Sequence, residues 1–268
     1  MNILDKILQH KRKEVEERKN LQPVKVLEQS ISFARQTISL RDYIQRDDKS
    51  GIITEFKRKS PSKGDININA LVEATTIGYA QAGASALSVL TDHQFFGGNN
   101  EDLIAARKHN AIPILRKDFT IDEYQIIEAK SIGADAILLI AAALEPKRLR
   151  QLASFAKTLG LEVLLEVHDK EELQANLDAQ PDLLGVNNRS LKTFDVSIEV
   201  SRQLSSLIPK DAVKVSESGI SDPKNIIELK QYGYEGFLMG ENFMKETNPG
   251  EACKIFIEKL KRLENNAI

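Results

Sequence analysis

Four segments of the chain repeat one arrangement: a helical stretch ends, a glycine follows, and an apolar run begins within a few residues. They are Gln81-Ala82-Gly83-Ala84-Ser85-Ala86-Leu87, Ser131-Ile132-Gly133-Ala134-Asp135-Ala136-Ile137, Thr158-Leu159-Gly160-Leu161-Glu162-Val163-Leu164 and Gln231-Tyr232-Gly233-Tyr234-Glu235-Gly236-Phe237. A helix that stops at a left-handed glycine and turns straight into a buried strand reads this way. The glycines lie 50, 27 and 73 residues apart, near two, one and three times a unit of about 25 residues, the size of a βα unit. Filling the gaps gives eight apolar strands, at about 51–57, 85–90, 111–116, 135–141, 161–167, 182–187, 212–217 and 236–240. Strands apolar almost throughout belong to a parallel sheet covered on both faces. Amphipathic helices separate them, for example Leu71 to Gln81, Asp122 to Ile132, Leu149 to Thr158 and Asn225 to Tyr232. Eight such units predict an α/β fold, a single closed (β/α)8 TIM barrel; an open doubly wound sheet is the alternative the pattern leaves.

About fifty residues precede the first strand. Residues 3–19 predict a helix with Ile3, Leu4, Ile7, Leu8, Lys11 and Val15 on one stripe. The basic run Lys11-Arg12-Lys13 is followed by Glu14, Glu16 and Glu17, so a solvated helix face is expected rather than a nucleic-acid contact. Pro23 opens a second helix through about Phe33, and Ser39 caps a third with Asp42 in its first turn. The expected organisation is one domain, 1–268, made of a helical N-terminal extension (1–50) and the barrel (51–268). With 268 residues, 41% of them hydrophobic, the chain can bury one sizeable core.

Composition narrows the function. A net charge of -2 gives no overall basic footprint for nucleic acid. No apolar run is long enough for a membrane span, and the charged start, Met1-Asn2-Ile3-Leu4-Asp5-Lys6, is unlike a signal peptide. The single cysteine, Cys253, forms no internal disulfide, and a cytoplasmic location is expected. His10, His93, His109 and His168 lack metal-ligand spacing and are expected on the surface or in loops. No GxGxxG or P-loop is present, so no cofactor and no metal are expected. A monomer or weak oligomer is expected.

The polar residues gather at the strand ends. The first strand ends in Glu55-Phe56-Lys57, with two opposite charges at a spacing that puts both on one face. On its own this stretch equally fits a salt bridge on an exposed edge strand. The third strand ends in Arg116-Lys117-Asp118, the fifth in Glu166, the sixth in Asn187-Asn188-Arg189, and the seventh in Glu217-Ser218-Gly219. In a barrel these ends form one rim, where active sites sit. Gly219 and Gly240 end the last two strands, and Glu241 to Met244 can form a short extra helix. That is the usual phosphate end of a barrel, although ordinary tight turns also use such glycines. Lys57, Lys117 and Arg189 with Glu55, Glu166 and Glu217 suggest acid–base chemistry on an anionic, phosphorylated small molecule.

Several motifs together carry a resemblance. Glu55-Phe56-Lys57-Arg58-Lys59-Ser60-Pro61-Ser62-Lys63-Gly64, Leu115-Arg116-Lys117-Asp118-Phe119, Glu166-Val167-His168, Gly185-Val186-Asn187-Asn188-Arg189-Ser190-Leu191 and Ser216-Glu217-Ser218-Gly219-Ile220 resemble the indole-3-glycerol-phosphate synthase family of tryptophan biosynthesis. The likeness covers essentially the whole chain, including the helical extension. It implies ring closure, decarboxylation and dehydration of 1-(2-carboxyphenylamino)-1-deoxyribulose 5-phosphate, a carboxy-lyase reaction needing neither cofactor nor metal. It implies Lys117 as the acid for the ketone oxygen, with its pKa brought down from about 10.4 by neighbouring cations. It implies Glu55, Glu166 and Lys57 in the dehydration, leaving open whether Glu166 or Lys57 is the acid. Asn187 would hydrogen-bond the reacting hydroxyl, Arg189 would orient a carboxylate or the substrate, and Glu217 and Ser218 would line the pocket. Ser60 and Lys57 resemble the substrate-carboxylate side, and Phe96, Phe119, Leu138 and Leu191 the apolar slot for the anthranilate ring. Gly219, Gly240 and Glu241 match the phosphate end, with the Glu241 side chain expected to point away from the anion. Lys59 and the pair Asn99-Asn100 depart from what is common in such proteins.

Two other readings compete. A phosphoribosylanthranilate isomerase-like barrel would share the phosphate end but has no use for Lys57, Lys117 and Glu166 together. A non-catalytic phosphosugar-binding barrel would bind without turnover.

Overall fold

The structure, a computed structural model, describes residues 2–191 and 193–266. Among these residues eight parallel strands close into a barrel: β1 (Ile52–Phe56), β2 (Ala86–Leu90), β3 (Ile114–Lys117), β4 (Ala136–Ile140), β5 (Glu162–Val167), β6 (Leu183–Asn187), β7 (Val213–Glu217) and β8 (Tyr234–Met239). Each pairs with the next in sequence. The ring shuts where β1 meets β8, with Ile52 beside Phe237, Ile53 beside Leu238 and Thr54 beside Met239. The open-sheet alternative is thereby excluded.

The repeated glycines do what their spacing predicts. Gly83, Gly133, Gly160 and Gly233 all take positive φ, between 71° and 98°, where an L side chain is strained. Two strand starts differ from the sequence reading. β3 begins only at Ile114, because Pro113 offers no N–H to the ladder and the first donor is the Ile114 amide, held by Asp135 Oδ2 at 2.8 Å. β8 begins earlier, at Tyr234, with a register shift before Gly236. A Cβ at Gly236 would stand 2.8 Å from a Val215 methyl, so the close approach of β7 needs glycine there.

Apolar side chains sort into two layers. Ile53, Ala86, Leu115, Ala136, Leu138, Leu164, Val213 and Val215 fill the barrel interior. The opposite faces, including Ile52, Leu87, Ile114, Ile137 and Val163, pack under the surrounding helices. Strand side chains alternate in direction, so every strand contributes to both layers.

The N-terminal extension forms α1 (Ile3–Leu21), α2 (Val24–Leu27) and α3 (Leu40–Ile44). Asn2 caps α1 through a capping box with Asp5. The expected second helix to Phe33 is cut short after Leu27. Ser30 Oγ instead accepts the Phe33 amide at 3.2 Å and donates to the Ser131 carbonyl at 2.8 Å, which competes with continuing the helix. Ser39 caps α3 as expected. Leu40 and Ile44 enter the interior layer and close the bottom of the barrel. Glu162 anchors them by accepting Ser39 Oγ (2.6 Å) and the Leu40 and Arg41 amides (2.7 and 3.0 Å).

At the opposite end α1 is fastened by charge, and here the expected solvated basic face is corrected at Lys11, while Arg12 and Lys13 are exposed as expected. Lys11 is 1% exposed, and its Nζ lies 2.9 Å from Asp92, 2.9 Å from Asp118 and 2.8 Å from Glu14. Arg18 reaches Glu128 at 3.0 Å, and Glu128 also meets Arg116. Lys11 falls on the apolar stripe, so helix geometry drives it into the barrel wall, where only a carboxylate pair makes burial of an ammonium tolerable. No helix among the described residues is long and apolar enough to cross a membrane.

Candidate active site

The C-terminal strand ends surround a cavity of about 210 Å³. Glu55, Lys57, Ser60, Phe96, Lys117, Phe119, Leu138, Glu166, Asn187, Arg189, Leu191, Glu217, Ser218, Gly219, Gly240 and Glu241 all line it. The structure therefore brings every residue expected from the sequence to one place.

Its floor is a charge cluster. β3 alternates, so Arg116 points outward into the helix layer while Lys117 points into the barrel. Arg116 is fixed there by Thr91 Oγ1 (3.0 Å), the Gln125 carbonyl (2.8 Å) and Glu128. Lys117 Nζ lies 3.0 Å from Glu166 Oε2 at the end of β5 and 2.9 Å from Glu217 Oε2 at the end of β7. Lys57 Nζ lies 2.7 Å from Glu55 Oε1, so β1 supplies an ion pair of its own inside the ring. That excludes the exposed edge-strand reading.

Burial pulls the Lys117 ammonium toward deprotonation, but Glu166, Glu217 and Glu55 outweigh it, and its pKa is raised. The expectation of neighbouring cations is corrected: carboxylates surround this lysine. Burial pushes the Glu166 pKa up, yet Lys117 and His168 overcome this and hold it low, with Asn187 adding a hydrogen bond. Glu217 goes the other way. Burial, together with Glu166 and Glu55, lifts its pKa against the pull of Lys117. Two carboxylates on one ammonium are thus driven apart, one ionised and one drawn toward its neutral form.

An apolar slot and a glycine end flank the cluster. The Phe96 and Phe119 rings stand 5.9 Å apart at 38°, with Leu138 and Leu191 on the same cavity. Across from them, Ser218 and Gly219 take consecutive left-handed conformations, φ 69° and 76°. Buried Asn188 fixes this turn by donating to Ser216 Oγ and to the Ser218 carbonyl, both at 3.0 Å. Gly240 leads into the short helix Glu241–Met244. A Cβ there would stand 2.8 Å from Glu55 Oε1, so this glycine first makes room for the Glu55 carboxylate. The Glu241 side chain sits on the rim, 3.2 Å from Lys63 and 3.4 Å from Arg189, where two cations offset its charge.

The sequence model of the indole-3-glycerol phosphate synthase family matches residues 4–256. The chain belongs to the indole-3-glycerol phosphate synthase family. Proteins named indole-3-glycerol phosphate synthase include a Bacteroides thetaiotaomicron relative, 48% identical over 97% of this chain and 99% of its own length. A Laribacter hongkongensis relative is 42% identical, covering 94% of this chain and 97% of its own. One from Thermoanaerobacter pseudethanolicus is 40% identical, covering 97% and 98%.

In this indole-3-glycerol phosphate synthase family member, sequence reasoning missed six residues that shape the site. Ile3, Leu4 and Ile7 of α1 line the cavity, so the extension roofs the barrel mouth; their place on an apolar stripe was the available signal. Gly185 gives the Glu217 carboxylate its space: a Cβ there would stand 2.3 Å from Oε1. Asn188 had no signal beyond its position in a strand-end motif. His168 lies in a loop as expected, between β5 and the helix Lys170–Asn176, but its side chain is largely buried behind Glu166, its Nε2 3.3 Å from Glu166 Oε1.

Proposed function

We propose that the chain converts 1-(2-carboxyphenylamino)-1-deoxyribulose 5-phosphate to indole-3-glycerol phosphate, carbon dioxide and water. The observation that carries this reading is Lys117, held by Glu166 and Glu217 at 3.0 and 2.9 Å between an aromatic slot and a glycine-lined end of one cavity. The slot suits the anthranilate ring. The loops at Gly219, Gly240 and Glu241 suit the phosphate, with Lys63 and Arg189 supplying positive charge at the rim. Lys57 and Ser60 take the substrate carboxylate.

As the ring carbon attacks the ketone, negative charge grows on the ketone oxygen. Lys117, fully charged, gives its proton to that oxygen; an alkoxide is basic enough to take it from an ammonium of raised pKa. This first transfer arms the second. Neutral Lys117 no longer holds Glu166 ionised, and burial then drives the Glu166 pKa upward. Once it has taken up a proton, Glu166 is the acid that protonates the departing hydroxyl, and Glu55, paired with Lys57, takes the proton lost from carbon. Asn187 holds Glu166 and the hydroxyl in register, and Arg189 orients the substrate from the rim. Loss of carbon dioxide and re-formation of the aromatic ring make the sequence irreversible.

The test is direct. The chain contains no tryptophan, so indole fluorescence rises from a low background when the protein meets this substrate. Growing emission, lost in Lys117→Ala, supports the reading. Tight substrate binding with no emission from the unaltered protein would replace it with the non-catalytic one.

A further inference from the structure

The imidazole behind Glu166 has no part in the chemistry so far. His168 lies just past β5, and its ring does not line the cavity. Its Nδ1 is 3.1 Å from Glu172 Oε2, on the helix Lys170–Asn176, and its own amide donates to that same oxygen at 2.8 Å. An ionised carboxylate only accepts, so Nδ1 carries a proton. Nε2 is then the ring's variable site: it is buried, makes no hydrogen bond among the described residues, and lies 3.3 Å from Glu166 Oε1 while Glu166 Oε2 accepts from Lys117.

A proton count gives this pair a task, resting on the reaction proposed above. A carboxylate leaves as neutral carbon dioxide and a hydroxyl leaves as water, so each turnover takes up one proton. Two are donated, to the ketone oxygen and to the departing hydroxyl, and one returns from carbon. Lys117 holds the first. Glu166, which donates the second, rests ionised, and its side chain is only 5% exposed, onto a cavity that the substrate fills. The second proton must therefore already be inside.

We propose that His168 stores that proton and loads it onto Glu166 for the dehydration, with Glu172 as the positioning residue that keeps the imidazole charged. When Lys117 has discharged, the Nε2–H bond breaks and a Glu166 O–H bond forms. Glu166 passes the proton to the hydroxyl, which leaves as water. After product release the proton taken up by Glu55 returns to Lys117, and the open cavity admits one more from solvent, which returns through Glu166 to Nε2. Of the groups facing the ring, Glu166 comes from its own strand, Glu172 from the next helix and Glu217 from β7, with Lys117 of β3 beyond Glu166. The Ala141–Ala143 turn packed on that helix brings no titratable side chain. Burial pulls the imidazole pKa down, but Glu172, Glu166 and Glu217 outweigh it and the pKa is raised, which favours the charged, proton-holding ring.

Glu172 also ties its own helix start to the chain before it, a purely structural use, and the test separates the two. Glu172→Gln keeps an oxygen for those hydrogen bonds but removes the charge. The expected kcat profile falls as pH rises through the His168 pKa. In Glu172→Gln that fall comes about one pH unit lower, a loss near tenfold at the alkaline side, with KM unchanged. His168→Gln loses the fall and about tenfold or more of kcat at neutral pH. Profiles of Glu172→Gln and the unaltered protein that superimpose would overturn the store, even where His168→Gln fails to fold. An unaltered protein that makes no indole would instead remove the reaction, and the store with it.

Discussion

Gly185→Ala presses one methyl group against the Glu217 carboxylate. The new Cβ would lie 2.3 Å from Oε1 and 3.2 Å from a Leu164 methyl, where ordinary contact begins at 3.4 Å. The strand backbone is locked on both sides by β5 and β7, so the carboxylate yields, by about 1 Å. Glu217 Oε2 would then stand roughly 4 Å from Lys117, beyond hydrogen-bonding range. Losing a buried charge-assisted hydrogen bond costs about 1.5–3 kcal/mol, and at about 1.4 kcal/mol per decade this lowers kcat by about tenfold to a hundredfold. Global stability falls by about 1–3 kcal/mol through overpacking, and the fold survives. Steady-state turnover by indole emission, beside a urea melt, reads both. A Gly185→Ala protein with kcat within threefold of the original would refute the claim that this glycine sets the Glu217 position.

Lys117→Ala is expected to lower kcat by about a hundredfold or more while the far-ultraviolet circular dichroism stays unchanged; near-normal kcat would sink the acid assignment. Lys11→Met strips a buried cation from Asp92 and Asp118 and is expected to cost about 3 kcal/mol in chemical denaturation. That is the low end for a broken buried pair, since Asp118 keeps Thr91 at 2.6 Å and Arg116 at 3.4 Å; a cost below about 1 kcal/mol would contradict the clasp. The same clasp sets an acid limit. Burial raises the Asp118 pKa, but Lys11 and Arg116 dominate and hold it well below its unfolded value. Its stabilisation is therefore fully present above the unfolded pKa near 3.9 and drains away as pH falls through the folded one. Thermal melts from pH 5 downward should show a shallower decline in Asp118→Asn than in the original, and parallel declines would count against it. Gly240→Ala is expected to lower kcat more than it weakens binding of inorganic phosphate, because its methyl meets Glu55 first; the opposite order in titration and turnover would assign the glycine to the anion.

The barrel was legible because its signals are local. A glycine that ends a helix and an apolar run after it can be read without knowing what lies across the ring. The sixteen expected cavity residues were legible because strand ends converge in a closed barrel and because long motifs carry a family likeness. What escaped depends on contacts between distant segments. Nothing in the neighbourhood of Gly185 announces Glu217, thirty-two positions later. Lys11 reads as one of three basic residues until Asp92 and Asp118 are found around it. The surroundings of Lys117 were misjudged for the same reason: its partners come from β5 and β7, and which charges meet inside a ring is a matter of register.

The closing seam between β1 and β8 ties catalysis to closure of the whole ring. Lys117 and Glu217 are a hundred positions apart, and Glu55 meets Gly240 only across the seam. Any partial ring, however well its strands pair, holds fragments of a site and no site. A ligand that spans the aromatic slot and the glycine end grips both sides of that seam, so it acts as a buckle. Occupancy should slow opening of the β1–β8 joint above all others, and amide exchange along Ile52–Phe56 becomes a gauge of whether the cavity is filled.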